Sequence, residues 1–299
     1  MTTATVVGSG PNGLAAAIVL AEAGLDVTVL EAKDSIGGGT RSAELTLPGL
    51  IHDVCAAAHP FAVASKFFRD RDLFRAESLQ LVNPEVAVAH PLDGGAEGFL
   101  SESFDQSSPM QGADAQRWKK LFGPLVNSFT DLADDALRPL PAVPRHPVLF
   151  ARFGALAGLS GSRLAKLFST PETQALLAGN AAHIIRPLSR PATASVGVML
   201  TTSAHAVGWP VPVGGTAEIT RAMADRLVGL GGRIETGRRV DDVADLDGDV
   251  IMLNVSPAAV LDMYGDRLPS TVAFWYRRWQ DGPAAWKIDL AIEGDIPWT

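Results

Sequence analysis

The sequence predicts an α/β protein of two domains, one built on a parallel sheet and the other mostly helical with additional antiparallel strands. Three observations predict this fold class: a strand–helix–strand pattern at the N-terminus, a long middle stretch with helical periodicity, and a return to α/β patterning after about residue 206. Apolar residues make up 47% of the 299 residues and charged residues 19%, so we expect a buried core rather than a disordered chain.

The first elements lie within residues 4–31. Residues 4–7 read as a short buried strand, residues 11–23 as a helix that Gly24 ends, and residues 27–30 as a second strand. This helix is apolar nearly all round, which is typical of a helix packed between a sheet and another layer. A strand–helix–strand unit of this kind predicts two parallel strands.

Helical periodicity then dominates the sequence from about residue 67 to residue 205. Apolar residues between Trp118 and Leu137 recur at helical spacing, and Pro124 predicts a kink or break among them. The α/β pattern returns with a predicted helix over 217–230 and predicted strands over 233–235, 249–254 and 286–292.

A glycine-rich turn joins the first strand to the first helix. Gly8, Gly10 and Gly13 have the spacing G-x-G-x-x-G, and the strand before them and the helix after them are the context in which that spacing binds dinucleotides. The first glycine permits the tight turn, the second the approach of a pyrophosphate, and the third close helix–strand packing. Ser9 and Asn12 belong to the same turn, so we expect all five residues in a Rossmann-like cofactor site.

An acidic residue ends the second strand. Glu31 lies 18 positions after Gly13, close to the spacing at which a carboxylate accepts hydrogen bonds from ribose hydroxyls, and Ala32 follows it. The same carboxylate would repel a 2′-phosphate, which disfavours NADP. The turn and the acid together do not distinguish FAD from NAD.

The residues after this acid resemble a known family. The run from Glu31 through Gly37, Gly38, Gly39, Thr40 and Arg41 resembles the extended fingerprint of the flavin amine oxidoreductase superfamily. Later segments resemble its phytoene-desaturase-like branch, namely Leu47–Gly49, His52–Cys55, His59–Pro60, Pro212–Thr216 and the strand with Val240. The resemblance implies FAD as cofactor, with Gly38, Gly39, Thr40 and Arg41 near the diphosphate and Val240 near the adenosine.

The resemblance also implies an activity and a domain arrangement. The activity is that of an FAD-dependent oxidoreductase, which dehydrogenates an apolar (isoprenoid- or carotenoid-like) or amine substrate by hydride transfer to flavin N5. The FAD-binding domain would be discontinuous, and the expected domains are 1–66 with 206–265 for FAD and 67–205 with 266–299 for the substrate.

Lys287 is the candidate catalytic residue. It lies on the strand predicted over 286–292, which resembles a family strand whose lysine holds a water near flavin N5 in amine-oxidising relatives. The competing interpretation, equally supported by the residues, is a lysine on the solvent face of an edge strand.

Members of this family are longer and end with a glycine-rich segment on the isoalloxazine side of FAD. These 299 residues contain no candidate for that segment, so we expect an incomplete substrate domain and easily lost FAD. Two alternatives stay open. One is a non-catalytic binding module, as in the Rab GDP-dissociation inhibitors, and the other is an NAD-dependent dehydrogenase, against which the run Gly37–Gly39 argues.

Composition limits the partners. The chain has 25 Lys and Arg against 33 Asp and Glu, a net charge of −8 without a basic block, which excludes nucleic acid and favours a small-molecule substrate. We expect no transmembrane segment, while peripheral membrane contact and oligomeric state stay open.

Cys55, the single cysteine, excludes an intrachain disulfide, and we expect no metal site. A reducing cytoplasm fits, with Cys55 as a small buried hydrophobe.

Overall fold

The computed structural model describes residues 1–75, 79–107, 112–139 and 142–294. Among these residues, the strands are β1 Thr3–Val7, β2 Asp26–Leu30, β3 Ser42–Glu44, β4 Ile51–Asp53, β5 Leu81–Val82, β6 Val88–Pro91, β7 Glu97–Leu100, β8 Val211–Pro212, β9 Arg233–Glu235 and β10 Val250–Leu253. The α-helices are α1 Pro11–Glu22, α2 Pro60–Ala64, α3 Lys66–Asp70, α4 Gly112–Val126, α5 Phe129–Ala136, α6 Pro147–Ala157, α7 Gly161–Ala165, α8 Pro171–Ala182, α9 Ala194–Val207, α10 Ala217–Gly229, α11 Pro257–Tyr264 and α12 Ser270–Arg277.

The chain divides into two compact units. The first is built mainly from residues 1–57 and 212–294, and the second mainly from residues 58–74 and 81–211. Residues 266–294, which the sequence predicts in the substrate domain, lie in the first unit, where α12 packs against α11. The predicted end of the substrate domain, residues 295–299, lies outside the described residues.

A parallel sheet with the strand order β10–β1–β2–β9 forms the centre of the first unit. The predicted strand–helix–strand unit is confirmed, and α1 packs beside α10 with Leu14, Ala17 and Ile18 fully buried. Val7 and Leu30 are paired in register at the ends of β1 and β2. The residues that follow these two strands therefore emerge at the same edge of the sheet.

Helices make up most of the second unit. Its core contains the fully buried side chains Trp118, Phe122, Leu132, Leu164 and Leu176. The break that Pro124 predicts lies a few residues later, because α4 ends at Val126 and α5 begins at Phe129. β6 and β7 form an antiparallel hairpin, which agrees with the antiparallel strands expected beside the helices.

Two local predictions are wrong. Residues 286–292 form no strand, since alternation alone cannot replace the neighbouring strand that a ladder requires, and Trp286 is 91% exposed. Cys55 is exposed rather than buried, because it lies in the loop that leaves the short β3–β4 hairpin. None of the described helices combines the length and the apolar character needed to cross a bilayer.

Candidate functional site

A cleft of about 430 Å³ lies in the first unit, at the edge of the sheet where β1 and β2 end. Its walls come from the two glycine-rich turns, the start of α1, the segment 238–240 after β9, and residues that follow β10. The predicted site residues that line it are Gly8, Gly10, Asn12, Glu31, Ala32, Gly38, Gly39, Arg41 and Val240. The structure thus brings together residues from three separate stretches of the sequence.

Three predicted residues lie behind the cleft wall instead. Ser9 is fully buried and bonds to Glu31, and Gly13 packs against the backbone of the first turn. The Thr40 hydroxyl donates to the Gly37 carbonyl at 2.7 Å. These residues hold the shape of the site rather than face a ligand.

The glycines of the first turn meet different surroundings. A Cβ on Gly13 would lie 2.0 Å from the Gly8 carbonyl oxygen, and one on Gly8 would lie 2.6 Å from the Asn254 carbonyl oxygen. A Cβ on Gly10 would meet its nearest protein atom, Asn254 Nδ2, at an ordinary 3.4 Å. Protein packing therefore requires glycine at positions 8 and 13, whereas position 10 faces open space that a closely approaching ligand could use.

The second glycine turn meets the first one at the cleft. Gly38 has φ +54°, and a Cβ there would lie 3.0 Å from Gly10 Cα. The Gly37 amide donates to the Ser9 carbonyl at 3.1 Å, which ties the two turns together. Two stretches of bare backbone consequently lie side by side, as a diphosphate site requires.

The start of α1 adds a positive dipole to this surface. Gly10 is the N-cap, Pro11 is the first helical residue, and no side chain of the described residues caps the terminus. Both Pro11 and Asn12 line the cleft, so the uncapped end of a 12-residue helix faces it. Such an end stabilises anions.

Glu31 is 7% exposed and accepts four hydrogen bonds. Oε2 accepts from the Ser9 amide at 3.0 Å and the Ser9 hydroxyl at 2.6 Å, and Oε1 accepts from the Lys33 amide at 3.0 Å and Arg41 Nη2 at 3.1 Å. Burial raises the pKa of the carboxyl, but the bonds from Ser9 and Lys33 and the charge of Arg41 outweigh it, so the net pKa is lowered. Glu31 is therefore an ionised carboxylate at neutral pH.

Arginines give the cleft an excess of positive charge. Arg41, Arg238 and Arg239 line it, and Glu31 is the one carboxylate among the described lining residues. The Arg41 guanidinium also donates to the carbonyls of Ser35 and Gly38, at 2.9 and 3.1 Å. This excess of arginines over carboxylates suits the negative charge of a diphosphate. Sequence reasoning missed Arg238 and Arg239, although their position just before Val240 was a usable signal.

Part of the cleft lining is apolar. Val240 packs with Val7, Leu30 and Met263, and all four side chains are buried. Val240 and Met263 also line the cleft, and they provide a surface against which a flat ring can pack.

Lys287 is not brought to this cleft. It lies in the exposed stretch after α12, and its ammonium pairs with Asp289, which in turn lies 3.4 Å from His52 Nδ1. The described residues that line the cleft do not include it.

Known proteins resemble both the sequence and the fold. Residues 6–70 match the family of NAD(P)-binding Rossmann-like domains. The phytoene dehydrogenase of Streptomyces griseus is 31% identical over 261 residues, which is 79% of this chain and 48% of the relative. The hydroxyneurosporene desaturase of Cereibacter sphaeroides is 27% identical over 292 residues, 86% of this chain and 56% of the relative. The chain thus spans about half the length of these curated relatives.

Among solved structures, a redesigned putrescine oxidase has the same fold, with a TM-score of 0.54 and 19% identity. The match covers 92% of this chain and 63% of the oxidase. The predicted α/β fold class with a Rossmann-like domain is thereby confirmed. Together with the two oxidoreductase relatives, these similarities fit the phytoene-desaturase-like branch of the amine oxidoreductases.

Proposed function

We propose that this chain binds FAD and belongs to an oxidoreductase that dehydrogenates an apolar, isoprenoid- or carotenoid-like, or an amine substrate. The observation that carries the proposal is the meeting of the Gly10 and Gly38 backbones at a cleft that also contains Glu31 and Arg41. The similarity to a phytoene dehydrogenase supports an apolar substrate. The fold shared with a putrescine oxidase supports an amine as the alternative substrate.

Each part of the cleft has a chemical counterpart in the ADP half of FAD. The uncapped start of α1 and the bare backbone at Gly10 and Gly38 would receive the diphosphate. Glu31 would accept ribose hydroxyls, and the apolar wall at Val240 would pack against the adenine. The residues present therefore fit an adenine dinucleotide.

The chain's own contribution to the reaction is binding, orientation and charge compensation. FAD, when bound, supplies a hydride acceptor at N5. The protein fixes the ADP end through charge-assisted hydrogen bonds, and this anchoring determines where the reactive ring can lie. Lys287 as a water-holding residue stays a prediction, since cofactor binding as proposed does not depend on it.

Calorimetric titration of the purified chain with FAD, ADP and NADH tests the proposal. We expect FAD and ADP to bind one site in competition, and NADH to bind more weakly than FAD. A folded chain that binds neither FAD nor ADP would contradict the proposal. Tighter binding of NADH than of FAD would favour the NAD-dependent dehydrogenase instead.

The substrate class needs a separate measurement. After FAD loading, anaerobic mixing with a polyene or with an alkylamine should bleach the flavin absorbance if that compound donates hydride. A chain that holds an isoprenoid but neither binds nor reduces FAD would favour the non-catalytic binding module.

A further inference from the structure

We infer that Arg41 occupies the acceptor position on Glu31 that a ribose hydroxyl requires, and that ligand binding transfers Arg41 from Glu31 to the ligand's phosphate. Arg41 would then be a specificity-determining residue, because it makes adenosine binding depend on an attached phosphate. The inference rests on the proposed function, in that it assumes an adenine-nucleotide ligand in this cleft.

The first step is a count of acceptor positions on Glu31. An ionised carboxylate offers about four lone-pair positions. Four donors already occupy them: the Ser9 amide and hydroxyl on Oε2, and the Lys33 amide and Arg41 Nη2 on Oε1. A ribose hydroxyl can therefore bond to this carboxylate only after one of the four donors has left.

The second step identifies the donor that can leave. The amides of Ser9 and Lys33 belong to the backbone on either side of the site, and the Ser9 hydroxyl is fully buried at 2.6 Å from Oε2. The Arg41 side chain is 24% exposed and also donates to the carbonyls of Ser35 and Gly38. Among the described residues, it is the one donor of the four that lines the cleft. Displacing Arg41 leaves no backbone amide without a partner, so it is the least costly exchange.

The third step concerns the destination of the guanidinium. Arg41 Nη1 donates to the carbonyl of Gly38, which lies on the glycine turn beside Gly10. A diphosphate bound at this turn would lie within reach of the same side chain, and phosphate is a preferred partner of the guanidinium fork. The phosphate of an ADP-like ligand can thus replace the Glu31 carboxylate as the partner of the Arg41 guanidinium, whereas adenosine has no phosphate to do so.

The variant Arg41→Met tests the inference, since it keeps most of the aliphatic stem and removes the charge. We expect the Kd of adenosine to fall several-fold, because Glu31 Oε1 is then open, and the Kd of ADP to rise about tenfold or more, because the phosphate has lost its fork. This fall in Kd should be absent for 2′,3′-dideoxyadenosine, which lacks both the 2′- and the 3′-hydroxyl that would reach Glu31. Equilibrium dialysis or calorimetry measures all three.

Two further variants complete the design. Arg221→Met is the matched control: Arg221 pairs with Glu218 on α10, is 64% exposed and does not line the cleft, so neither Kd should change. Arg41→Lys keeps a point charge without the fork, and it should shift both Kd values in the same directions by smaller factors. Should Arg41→Met fail to fold by circular dichroism, Arg41→Lys carries the test.

Parallel weakening of adenosine and ADP would overturn the inference, since Arg41 would then only support the site. Unchanged binding of both ligands would overturn it as well. These outcomes differ from a failure of the proposed function, in which the wild-type chain itself binds no ADP.

Discussion

At the residue scale, glycines of one motif have separable roles. Gly13 is required by the protein itself, because a Cβ there would lie 2.0 Å from the Gly8 carbonyl oxygen, whereas Gly10 has an ordinary 3.4 Å of clearance. We therefore predict that Gly13→Ala destabilises the fold by roughly 3 kcal/mol or more through overpacking. Gly10→Ala should leave stability nearly unchanged and weaken ADP binding about tenfold or more, because its methyl group takes space that the pyrophosphate needs.

Thermal unfolding and ADP titration of the two variants check this prediction. Wild-type ADP affinity in a well-folded Gly10→Ala protein would show that the first turn does not receive the phosphate. A Gly13→Ala protein as stable as the wild type would contradict the packing argument.

Glu31 carries the second prediction at this scale. In Glu31→Gln, an amide NH₂ replaces one acceptor oxygen and faces either Ser9 or the Lys33 amide, both of which are donors. We expect FAD and ADP binding to weaken by roughly 1.5–3 kcal/mol, because a charge-assisted acceptor is lost. Glu235→Gln is the control, since Glu235 also ends a strand of the sheet but is exposed and lies outside the cleft lining. Equal binding by both variants would remove Glu31 from the ligand site.

At the element scale, local rules predicted much of the fold. Gly24, with φ +86°, ends the helix α1 as expected, and the strand predicted over 233–235 has the bounds of β9. The site residues on these elements were predictable for the same reason: Gly10 and Glu31 follow strands whose pairing brings them to one edge.

Other features of the fold depend on contacts between distant segments, and the hydrophobic periodicity of the sequence carries no information about such contacts. The stretch 286–292 alternates like a strand but has no neighbouring strand, and the β3–β4 hairpin is too short to give a pattern. The pairing of Arg41 with Glu31 likewise follows from the way two loops meet, and the sequence placed Arg41 at the phosphate alone.

The packing of α4 against α9 leads to a prediction on pH. Trp118 Nε1 donates to His205 Nε2 at 3.0 Å, which requires that nitrogen to be unprotonated. Burial lowers the pKa of His205 to about 4, although the backbone carbonyls of Glu102 and Ser101 partly oppose it. The unfolded chain, with a histidine pKa near 6.5, binds the proton first as pH falls.

The folded state therefore loses stability from His205 between about pH 6.5 and pH 4, to a total of about 3 kcal/mol, with no further loss below pH 4. His205→Gln should flatten this part of the curve, because an amide oxygen can still accept from Trp118 and does not titrate. Urea unfolding across this pH range, with His183→Gln as an exposed-histidine control, measures the difference. Parallel curves for wild type and His205→Gln would contradict the prediction.

At the scale of the whole molecule, the predicted cofactor-binding residues belong to one of the two compact units. The first contains every predicted cofactor-binding residue, from Gly8 to Val240, on one parallel sheet and its connections. The second has its own core around Trp118 and Phe122, with the buried helices α8 and α9 packed together. The residues proposed to bind the cofactor are thus confined to one unit, so the effect of a ligand on each unit can be measured separately.

The last prediction follows from this separation. A ligand that binds the folded state at 100 times its Kd stabilises it by about 2.7 kcal/mol, so saturating ADP should raise the melting temperature by roughly 5–10 °C. Hydrogen exchange should slow at the Gly8–Gly13 turn, at the Gly37–Thr40 turn and in β1, because these amides lie at or beside the cleft. The amides of α8 and α9 should exchange as before, since the ligand contacts residues of the first unit. For Gly10→Ala at the same concentration of ADP, a tenfold weaker Kd leaves about 1.4 kcal/mol of stabilisation, so the rise in melting temperature should be about half that of the wild type or less. Equal slowing in α8 and α9 would place the binding site elsewhere.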